Sequence, residues 1–493
     1  MGVKIDPRTP VLVGAGQVRQ RLQDPLEGVE PLELMHRAAL RAEADSGRSG
    51  LLSGLDTVLV PQGLWRYSNP GAWLRDRVGA PEADTGLAPI SGSMVQYMVS
   101  FAAREIAQGQ RELVLISGAE AEHSKRKAKR QGLKLGWSKL PEVPLDLDFG
   151  RGEQTLSAHE FKRGLAGPPV FFSLYENALR HARGESLIEH RERVAKLWSS
   201  FSKVAAKNPN AWWQEPLDPE EIYLPSPENR LIAWPYTKRM CSNMVVDLGA
   251  AVILCSEEVA DRYGIDRSRR VYLHAATDSS GSSLLSHRMN FRSEPALELG
   301  GQRVLELART EIDQIDHLDL YSCFPAAVQL GVQALGIPED RSLTVTGGLG
   351  FSGGPFNSYV LHSITTMMDR LRANPGQRGL VTSIGGWVDK HAFGVYSTSP
   401  SPEGFLHEDV SDAVARLPRR ELDEEFTGIG KVETYALRYE AGRPEAVTAA
   451  CLDEKGVRGW ACSEDPQLLE RLTEREWIGE SIRVESGGHL VSS

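Results

Sequence analysis

The stretch SGSMVQYMVSFAAREIAQGQRELVLISGAE, residues 91–120, contains a predicted loop, helix and buried strand in succession. Residues 93–108 have helical periodicity, and Gly109 is placed to end the helix. Residues 113–117 (LVLIS) form a short apolar run, which is typical of a strand buried on both faces. A helix followed by such a strand indicates a sheet that is covered by helices.

The same alternation continues on both sides of this stretch. Upstream, residues 11–14 and 56–60 read as buried strands. Downstream, residues 243–256 (NMVVDLGAAVILCS) predict two apolar strands separated by Asp-Leu-Gly. A second series of helices and strands follows, including a strand at 343–346, and suggests a parallel sheet. Two similar α/β halves indicate an internal duplication, whose ligand is expected at a junction near the carboxyl ends of the strands.

Composition divides the chain into an interrupted first half, a second half and a tail. Residues 121–240 carry dense charges, prolines and tryptophans, which predicts a large insertion over the sheet. A Ser- and Pro-rich linker at 397–408 precedes a β-rich region with one helix. We assign residues 1–266 to the first half, 267–400 to the second half and 409–493 to a C-terminal domain, which we expect to be separable.

Bulk composition limits the classes of function. The chain has 493 residues, of which 41% are hydrophobic and 25% are charged, with a formal net charge of -10. These values are typical of a globular protein with several domains. The acidic balance argues against a general nucleic-acid or membrane-surface binder, so no nucleic-acid partner is predicted.

Targeting and metal signals are weak. Residues 1–7 carry charges without an apolar core, so no signal peptide is expected. The most apolar segment, residues 244–255, is shorter than the roughly 20 residues that a membrane span needs. The five cysteines form no CxxC pair and have no histidine cluster beside them. We therefore expect a cytoplasmic protein without a disulfide framework or a metal.

Five blocks of the sequence, taken in order, resemble thiolases. The stretch 91–120 is similar to their nucleophile-bearing loop, helix and strand. The other blocks are residues 243–265, residues 321–337 (YSCFPAAVQLGVQALGI), residues 346–358 (TGGLGFSGGPFNS) and residues 382–386 (TSIGG). Five ordered blocks across both halves carry more weight than a single glycine-rich motif.

The resemblance implies an α/β, duplicated thiolase fold: two similar halves in five layers, ordered α-β-α-β-α. Within the thiolase superfamily, the chain looks most like thiolase-like protein type 1, a subgroup with an additional C-terminal domain. The implied class is an acetyl-CoA acetyltransferase-like protein of lipid metabolism, with CoA or acyl-CoA as ligand and no required cofactor. Thiolases usually pair through an edge strand of the first half, so a homodimer is the default. A monomer stays open, because the added domain could cover that edge.

The catalytic residues of thiolases are replaced in this sequence. Thiolases use a nucleophilic cysteine, a histidine that activates it and a second cysteine that moves a proton. The resemblance places Gly92 at the nucleophile, or Ser91 after a slip of one residue. It places Gly354 at the histidine and Ser383 at the second cysteine, and Tyr321 stands where the family has Asn or His. The Cys-His-Cys set is therefore expected to be degenerate.

Cys323 and His391 are further candidate catalytic residues. Cys323 is either a reactive thiol near the pocket or a small buried residue at the start of a helix, and we favour the second interpretation. His391, just past the last block, is either a base that faces the pocket or a hydrogen-bonded histidine in a strand, which we favour. A relocated site would use His391 as base and Ser91 or Cys323 as nucleophile.

A basic run in the insertion is the candidate CoA contact. Residues 123–139 (HSKRKAKRQGLKLGWSK) hold seven Lys or Arg, although the chain is acidic overall. Such a run is either a solvated face or a site for the phosphates of CoA, since thiolases present basic residues of their insertion to them. The residues assigned to this contact are Lys125, Arg126, Lys127, Lys129 and Arg130.

We therefore predict a thiolase-fold, acyl-CoA-related protein without ordinary thiolase activity. It binds CoA or acyl-CoA without condensing it, or carries out altered acyl-transfer or hydrolytic chemistry. The alternative is a non-catalytic binding or scaffold protein whose C-terminal domain provides the partner surface. Convergence of Ser91, His391 and Cys323 on one pocket would favour an enzyme, and their dispersal would favour a binder.

Overall fold

The computed structural model describes residues 5–150, 156–281, 284–338 and 340–491. The first half alternates strands with helices up to the point where the insertion begins. Its elements are β1 Pro10–Arg19, α1 Pro31–Asp45, β2 Thr57–Pro61, α2 Pro70–Val78, β3 Asp84–Ala88, α3 Met94–Ala107 and β4 Leu113–Ala121.

The insertion is mainly helical, and two elements after it complete the first half. The insertion comprises α4 Glu122–Arg130, β5 Leu147–Asp148, α5 Ala158–Lys162, α6 Pro168–Arg183, α7 Leu187–Ala205, α8 Pro219–Tyr223, β6 Leu231–Ala233 and β7 Tyr236–Thr237. The returning elements are β8 Asp247–Ser256 and α9 Glu257–Arg262.

The second half repeats the alternation and leads into a β-rich tail. The second half comprises β9 Val271–Ser280, α10 Pro295–Leu307, β10 His317–Asp319, α11 Pro325–Leu335, α12 Gly348–Phe351, α13 Tyr359–Ala373, β11 Arg378–Gly385, β12 Lys390–Ser397 and β13 Leu406–Asp409. The tail comprises α14 Ser411–Ala415, β14 Gly428–Glu440, β15 Arg443–Leu452, β16 Arg458–Ser463, α15 Pro466–Arg471, β17 Ser481–Glu485 and β18 His489–Val491.

Within the described residues, eleven strands of the two halves form one continuous sheet. Ten of them follow the order β10-β11-β12-β9-β1-β8-β4-β2-β3-β5, and β13 pairs beside β9. β2 is parallel to β3 and β4, whereas β8 is antiparallel to β1 and β4. The sheet is therefore mixed rather than parallel as predicted. Strand direction depends on the connection, and the connection from β4 to β8 is the whole insertion.

Two central helices separate the halves. Helix α3 contacts β8 and β12, and helix α13 contacts β8 and β11, so each touches strands of both halves. Most of α3 is apolar or small, and Val95, Met98, Val99 and Ala102 are completely buried. Helices α1 and α2 cover the first half, and α10 covers β9 and β12 of the second. The predicted duplicated fold with five layers is confirmed.

The insertion covers both an edge strand and a helix of the thiolase-like halves. Strand β5 pairs in parallel with β3, so it covers part of the edge through which the resemblance implied dimerisation. Helix α6 contacts α11 of the second half. The rings of Phe172 and Phe324 stack across this contact with centroids 4.6 Å apart. The insertion therefore packs on a helix of the second half, whereas the sequence predicted only that it lies over the sheet.

The C-terminal sheet is completed by strands of the insertion. Its order is β15-β16-β18-β17-β14-β6-β7, in which β6 and β7 belong to the insertion. The Thr434 hydroxyl donates to the Leu174 carbonyl over 2.6 Å, and Asn177 Nδ2 donates to the Tyr435 carbonyl over 2.9 Å. The shared sheet therefore argues against the expected separability of this domain, which stays a prediction. The composition of the linker cannot show that the tail shares a sheet with β6 and β7, which lie some 200 positions earlier in the chain.

The segment 243–256 contains one strand rather than two. Only Asp247–Ser256 is a strand. The Gly354 N–H donates to the Asn243 carbonyl over 2.9 Å, so the start of the segment bonds to the glycine-rich block instead of to a strand.

The predicted strand at 343–346 is a loop. The backbone N–H groups of Val345 and Thr346 donate to the Asp319 carboxylate over 3.0 and 3.2 Å. A buried carboxylate thus satisfies the donors that a strand would direct at its neighbour.

Candidate functional site

Gly92, which the resemblance aligns with the thiolase nucleophile, lies just before α3. An ideal Cβ atom on Gly92 would lie 2.3 Å from the Ile384 carbonyl oxygen and 2.4 Å from Tyr321 Oη. A side chain at this position would therefore force the backbone of β11 to move. The nucleophile position lacks space as well as a cysteine.

Tyr321 supplies the group that fills this space. Its backbone N–H donates to Thr382 Oγ1 over 2.9 Å, and its ring meets the Tyr359 ring edge-on at 5.7 Å. Burial raises the pKa of the Tyr321 phenol, so the hydroxyl stays protonated at neutral pH. The sequence showed that Tyr321 replaces an Asn or His, but it did not show that the phenol reaches Gly92.

Ser91 lies beside Gly92 and faces the end of β11. Its hydroxyl oxygen is 2.9 Å from that of Ser93, and both side chains are buried. An ideal Cβ on Gly385 would lie 1.8 Å from Ser91 Oγ, so the hydroxyl occupies the space above that glycine. In the part of the chain that the structure describes, no titratable side chain hydrogen-bonds to this hydroxyl. A serine without a base is not an activated nucleophile.

The register of β11 against β12 decides where His391 points. Gly385 pairs with Lys390, and Ile384 pairs with His391. Paired residues share a face of a sheet, and consecutive residues alternate between faces. Because the face at Gly385 meets Ser91, the His391 ring points to the opposite face.

The His391 ring is isolated from the serine loop. It is 1% exposed, and neither ring nitrogen has a hydrogen-bond partner among the described residues. Burial, together with the charge of nearby Arg288, lowers the pKa of the ring to about 3. The position and the low pKa of the ring both argue against the hypothesis that His391 serves Ser91 as a base. A ring with so low a pKa is also a weak base for Cys323.

Gly354 and Cys323 lie together, with Ser242 between them. An ideal Cβ on Gly354 would lie 2.3 Å from Ser242 Oγ, so a serine hydroxyl fills the space beside the glycine that the resemblance aligns with the thiolase histidine. The Ser242 N–H donates to the Cys323 carbonyl over 2.9 Å. Burial raises the pKa of the Cys323 thiol and so disfavours the thiolate, which is the nucleophilic form.

Ser383, which the resemblance aligns with the second thiolase cysteine, belongs to the sheet. It is 1% exposed, and its hydroxyl donates to the Ala392 carbonyl of β12 over 2.9 Å. Each of the three thiolase-equivalent positions is therefore taken up by packing or by a hydrogen bond.

The predicted phosphate-binding cations lie on α4, directly after β4. Lys125 and Arg126 both pair with Glu122 one turn earlier, and Arg126 Nε lies 3.4 Å from its carboxylate. Lys127 Nζ donates to the Leu22 carbonyl over 3.3 Å. Glu122 therefore offsets part of the charge of this cluster.

The end of α4 is exposed, and its start adjoins the glycine-rich block. Lys129 and Arg130 are exposed. The His123 ring meets the Trp212 indole edge-on at 5.1 Å. An ideal Cβ on Gly353 would lie 3.3 Å from Trp212 Cβ, so the tryptophan connects this helix with the block that contains Gly354.

A cleft of about 950 Å³ lies elsewhere, between α6, α7 and α11. None of the eleven candidate residues from the sequence is among the described residues that line it. Apolar side chains such as Leu197 and Val332 line it beside cations such as Arg193 and Lys196. Sequence reasoning missed this site because helical periodicity does not distinguish a cavity wall from a solvated face.

Two kinds of feature are absent from the described ranges. No group of three or more His, Cys, Asp or Glu side chains there is arranged to hold a metal ion. No helix there combines the length and the apolar character that crossing a membrane requires.

Glu120, near the carboxyl end of β4, carries a pH-dependent contribution to stability. It is 2% exposed and accepts a hydrogen bond from the Leu64 N–H over 2.8 Å. Burial raises the pKa of the Glu120 carboxyl from 4.5 to about 8. Between these values the folded protein keeps a proton that the unfolded chain releases. Stability from this group is therefore present below pH 4.5 and is lost as the pH rises through 8.

The variant Glu120→Gln should therefore flatten the pH dependence of unfolding. Between pH 5 and pH 8, its free energy of unfolding should rise relative to wild type by on the order of 3 kcal/mol. Urea denaturation at intervals of one pH unit measures this difference. Glu112→Gln, which alters an exposed carboxylate, is the matched control. A constant difference at every pH would contradict the prediction.

Solved structures share this fold. A monomeric SCP2-thiolase-like protein type 1 from Mycobacterium smegmatis matches with 30% sequence identity and a TM-score of 0.85, over 99% of this chain and 100% of that chain. The dimeric peroxisomal thiolase of Saccharomyces cerevisiae matches with 15% identity and a TM-score of 0.56, over 80% of this chain and 99% of its own. An acetyl-CoA acetyltransferase from Syntrophomonas wolfei matches with 14% identity and a TM-score of 0.56, over 80% of this chain and 100% of its own. The last two show a common fold alone.

The tail matches a family model of its own. Residues 409–489 match the thiolase-like protein type 1 additional C-terminal domain. No curated protein matches the chain. The similarity to the M. smegmatis protein extends over nearly the whole of both chains, and it includes this tail. The chain belongs to the SCP2-thiolase-like protein type 1 family.

Proposed function

We propose that this protein binds CoA or acyl-CoA and catalyses neither thiolase condensation nor thiolytic cleavage. The contact between Gly92, Tyr321 and the Ile384 carbonyl carries this proposal. Covalent acyl transfer needs a nucleophile beside the thioester carbonyl. A phenol and a backbone oxygen stand where even the first atom of a nucleophilic side chain would be.

The remaining catalytic steps lack their groups as well. Ser242 fills the place of the activating histidine, and the Ser383 hydroxyl is bonded within the sheet. Loss of one catalytic group commonly costs orders of magnitude in rate, and groups that act as a unit fail together. The His391 ring points away from Ser91, which supports a binding role rather than acyl transfer at a relocated site.

The exposed end of α4 supports binding of the CoA phosphates. Lys129 and Arg130 are free of the Glu122 carboxylate that pairs with the earlier cations, and cations beside phosphates gain charge-assisted hydrogen bonds. Strand β5 on the edge of β3 favours a monomer over the homodimer. A cytoplasmic location stays a prediction.

Calorimetric titration with CoA, together with intact-mass analysis after incubation with acetyl-CoA, tests the proposal. We expect salt-dependent CoA binding, no acyl adduct and no cleavage of acetoacetyl-CoA. Reversing the charges of Lys125, Arg126, Lys129 and Arg130 to Glu should weaken CoA binding by about tenfold or more. The double variant Lys203→Glu/Lys207→Glu, which reverses exposed cations elsewhere in the insertion, should leave CoA affinity unchanged.

Three outcomes would contradict the proposal. A stable acyl adduct on Ser91 or Cys323 would establish an acyltransferase. Equal CoA affinity in the charge-reversal variant and the wild-type protein would show that α4 does not contribute to the binding site. Absence of both CoA binding and an adduct would support the scaffold alternative, in which the C-terminal domain provides a partner surface.

A further inference from the structure

The cleft between α6, α7 and α11 is separate from the thiolase-equivalent positions. Its volume of about 950 Å³ falls within the roughly 300–1,000 Å³ of small-molecule sites. It extends along α7 from Arg193 to Val204, twelve residues that span about 16 Å of helix. The cleft is therefore long enough for an extended ligand.

Apolar side chains form much of the lining. They include Leu179 of α6, Leu197 of α7, and Val328 and Val332 of α11. A spacing of four residues places Val328 and Val332 on one face of α11. Leu197 and Val332 are only partly buried, although they lie in a concave surface. Apolar area left accessible in a cleft favours an apolar ligand, which removes that area from water.

Cations outnumber carboxylates along the same cleft. Among the described lining residues, Arg183, Arg193, Lys196 and Arg341 are basic, and Asp340 is acidic. Glu185 pairs with both Arg183 and Arg193 and offsets part of this charge. An excess of positive charge is left at the lining, whereas the chain as a whole has a net charge of -10. A local positive potential beside an apolar surface attracts a ligand that is apolar along its length and anionic at one end.

A buried network holds Arg193 in place. Arg193 Nε donates to Glu185 over 2.6 Å, and its Nη2 donates to Gln329 Oε1 over 2.8 Å. The completely buried His190 ring lies between the carboxylates of Glu185 and Glu176, at 2.7 and 2.8 Å. Gln329 Nε2 donates to Glu176 over 2.6 Å and closes the network. A guanidinium fixed in this way loses little conformational entropy when a ligand binds.

We propose that this cleft binds a long-chain acyl group with an anionic head. The chain lies against the apolar side chains of α7 and α11, and the head lies at Arg193 and Lys196. This site is distinct from the CoA contact at α4, so it adds a second ligand site to the proposed function. A free fatty acid and an acyl-CoA share this chemistry, whereas CoA alone has no long acyl chain.

Fluorescence titration of the full-length protein with cis-parinaric acid tests the cleft. We expect saturable binding of one equivalent. Val332→Trp fills the apolar lining and Lys196→Glu reverses a charge at the head, so each should weaken binding about tenfold or more. Lys207→Glu, an exposed cation just after α7 and outside the cleft, should leave the affinity unchanged. Circular dichroism spectra check that each variant is folded.

Competition identifies the source of the acyl group. Palmitate that displaces the probe supports a fatty-acid ligand, and displacement by palmitoyl-CoA alone supports an acyl-CoA ligand. Displacement by CoA without an acyl chain would overturn the separation of the two sites. Absence of saturable probe binding, or equal affinity in wild type, Val332→Trp and Lys196→Glu, would overturn the proposal. The probe contains no CoA, so failure of CoA binding at α4 leaves this test intact.

Discussion

Deletion of residues 410–493 should abolish the single cooperative unfolding transition and leave an aggregation-prone fragment. The deletion removes β14, which pairs with β6, and uncovers the side of α6 that packs on β14. It also removes Glu476, which accepts a hydrogen bond from Arg180 Nη2 over 3.0 Å. Arg180 is only 2% exposed, so its charge depends on this partner. An uncovered apolar face and an unpaired buried charge are both costly. Scanning calorimetry and light scattering measure the result.

A cut in the loop between β12 and β13 is the matched control for this deletion. A protease site at residues 401–404 breaks the chain near the same point but leaves every interface in place. The two pieces should co-elute in gel filtration and unfold together. If the deletion variant still unfolds cooperatively at the wild-type temperature, the C-terminal domain is separable, as the composition of the linker predicts.

Arg458→Ala should lower the free energy of unfolding by roughly 3–5 kcal/mol. Arg458 is completely buried between the C-terminal domain and the second half. Its Nη1 donates to the carbonyls of Ser286 and Arg288 over 2.7 and 2.6 Å, and its Nε donates to Glu433 over 2.8 Å. The guanidinium also lies 4.8 Å from the centre of the Phe291 ring. Removing it leaves the Glu433 charge and two carbonyl oxygens without their donor.

Two variants make this measurement specific. Arg443→Ala removes an exposed arginine of the same domain and should change the free energy of unfolding by less than about 0.5 kcal/mol. Arg458→Lys should recover only part of the loss, because an ammonium cannot reach a carboxylate and two carbonyls with fixed planar geometry. Urea denaturation of the three variants provides the values. A loss below about 1 kcal/mol in Arg458→Ala would show that the network does not stabilise the interface.

Local pattern was sufficient for most elements of the two halves. The predicted strand at 113–117 lies within β4, and the predicted helix at 93–108 matches α3 to within one residue at each end. Apolar periodicity and helix-ending glycines are properties of a single segment, so they can be read without knowledge of the fold. The ordered motif blocks likewise indicate the superfamily, and the appended C-terminal domain indicates the type 1 subgroup.

Local sequence pattern did not predict the structure of segments that bond to distant parts of the chain. Residues 343–346 look like a strand, but their donors bond to Asp319, which lies more than twenty positions earlier. Strands β6 and β7 of the insertion pair into a sheet whose other strands all follow residue 427. No pattern within either segment encodes such a partner.

The sequence alone determined the fold class and the family, because these depend on which residue stands at each position of a motif. Tertiary structure alone decided that Tyr321 and the Ile384 carbonyl take the space at Gly92, and that His391 turns away from Ser91. It also decided that a cationic, apolar cleft opens beside α7. Steric contact and sheet face depend on the register of strands and helices that lie up to about 300 residues apart in the chain. That register is set by packing of the whole core and not by any one segment.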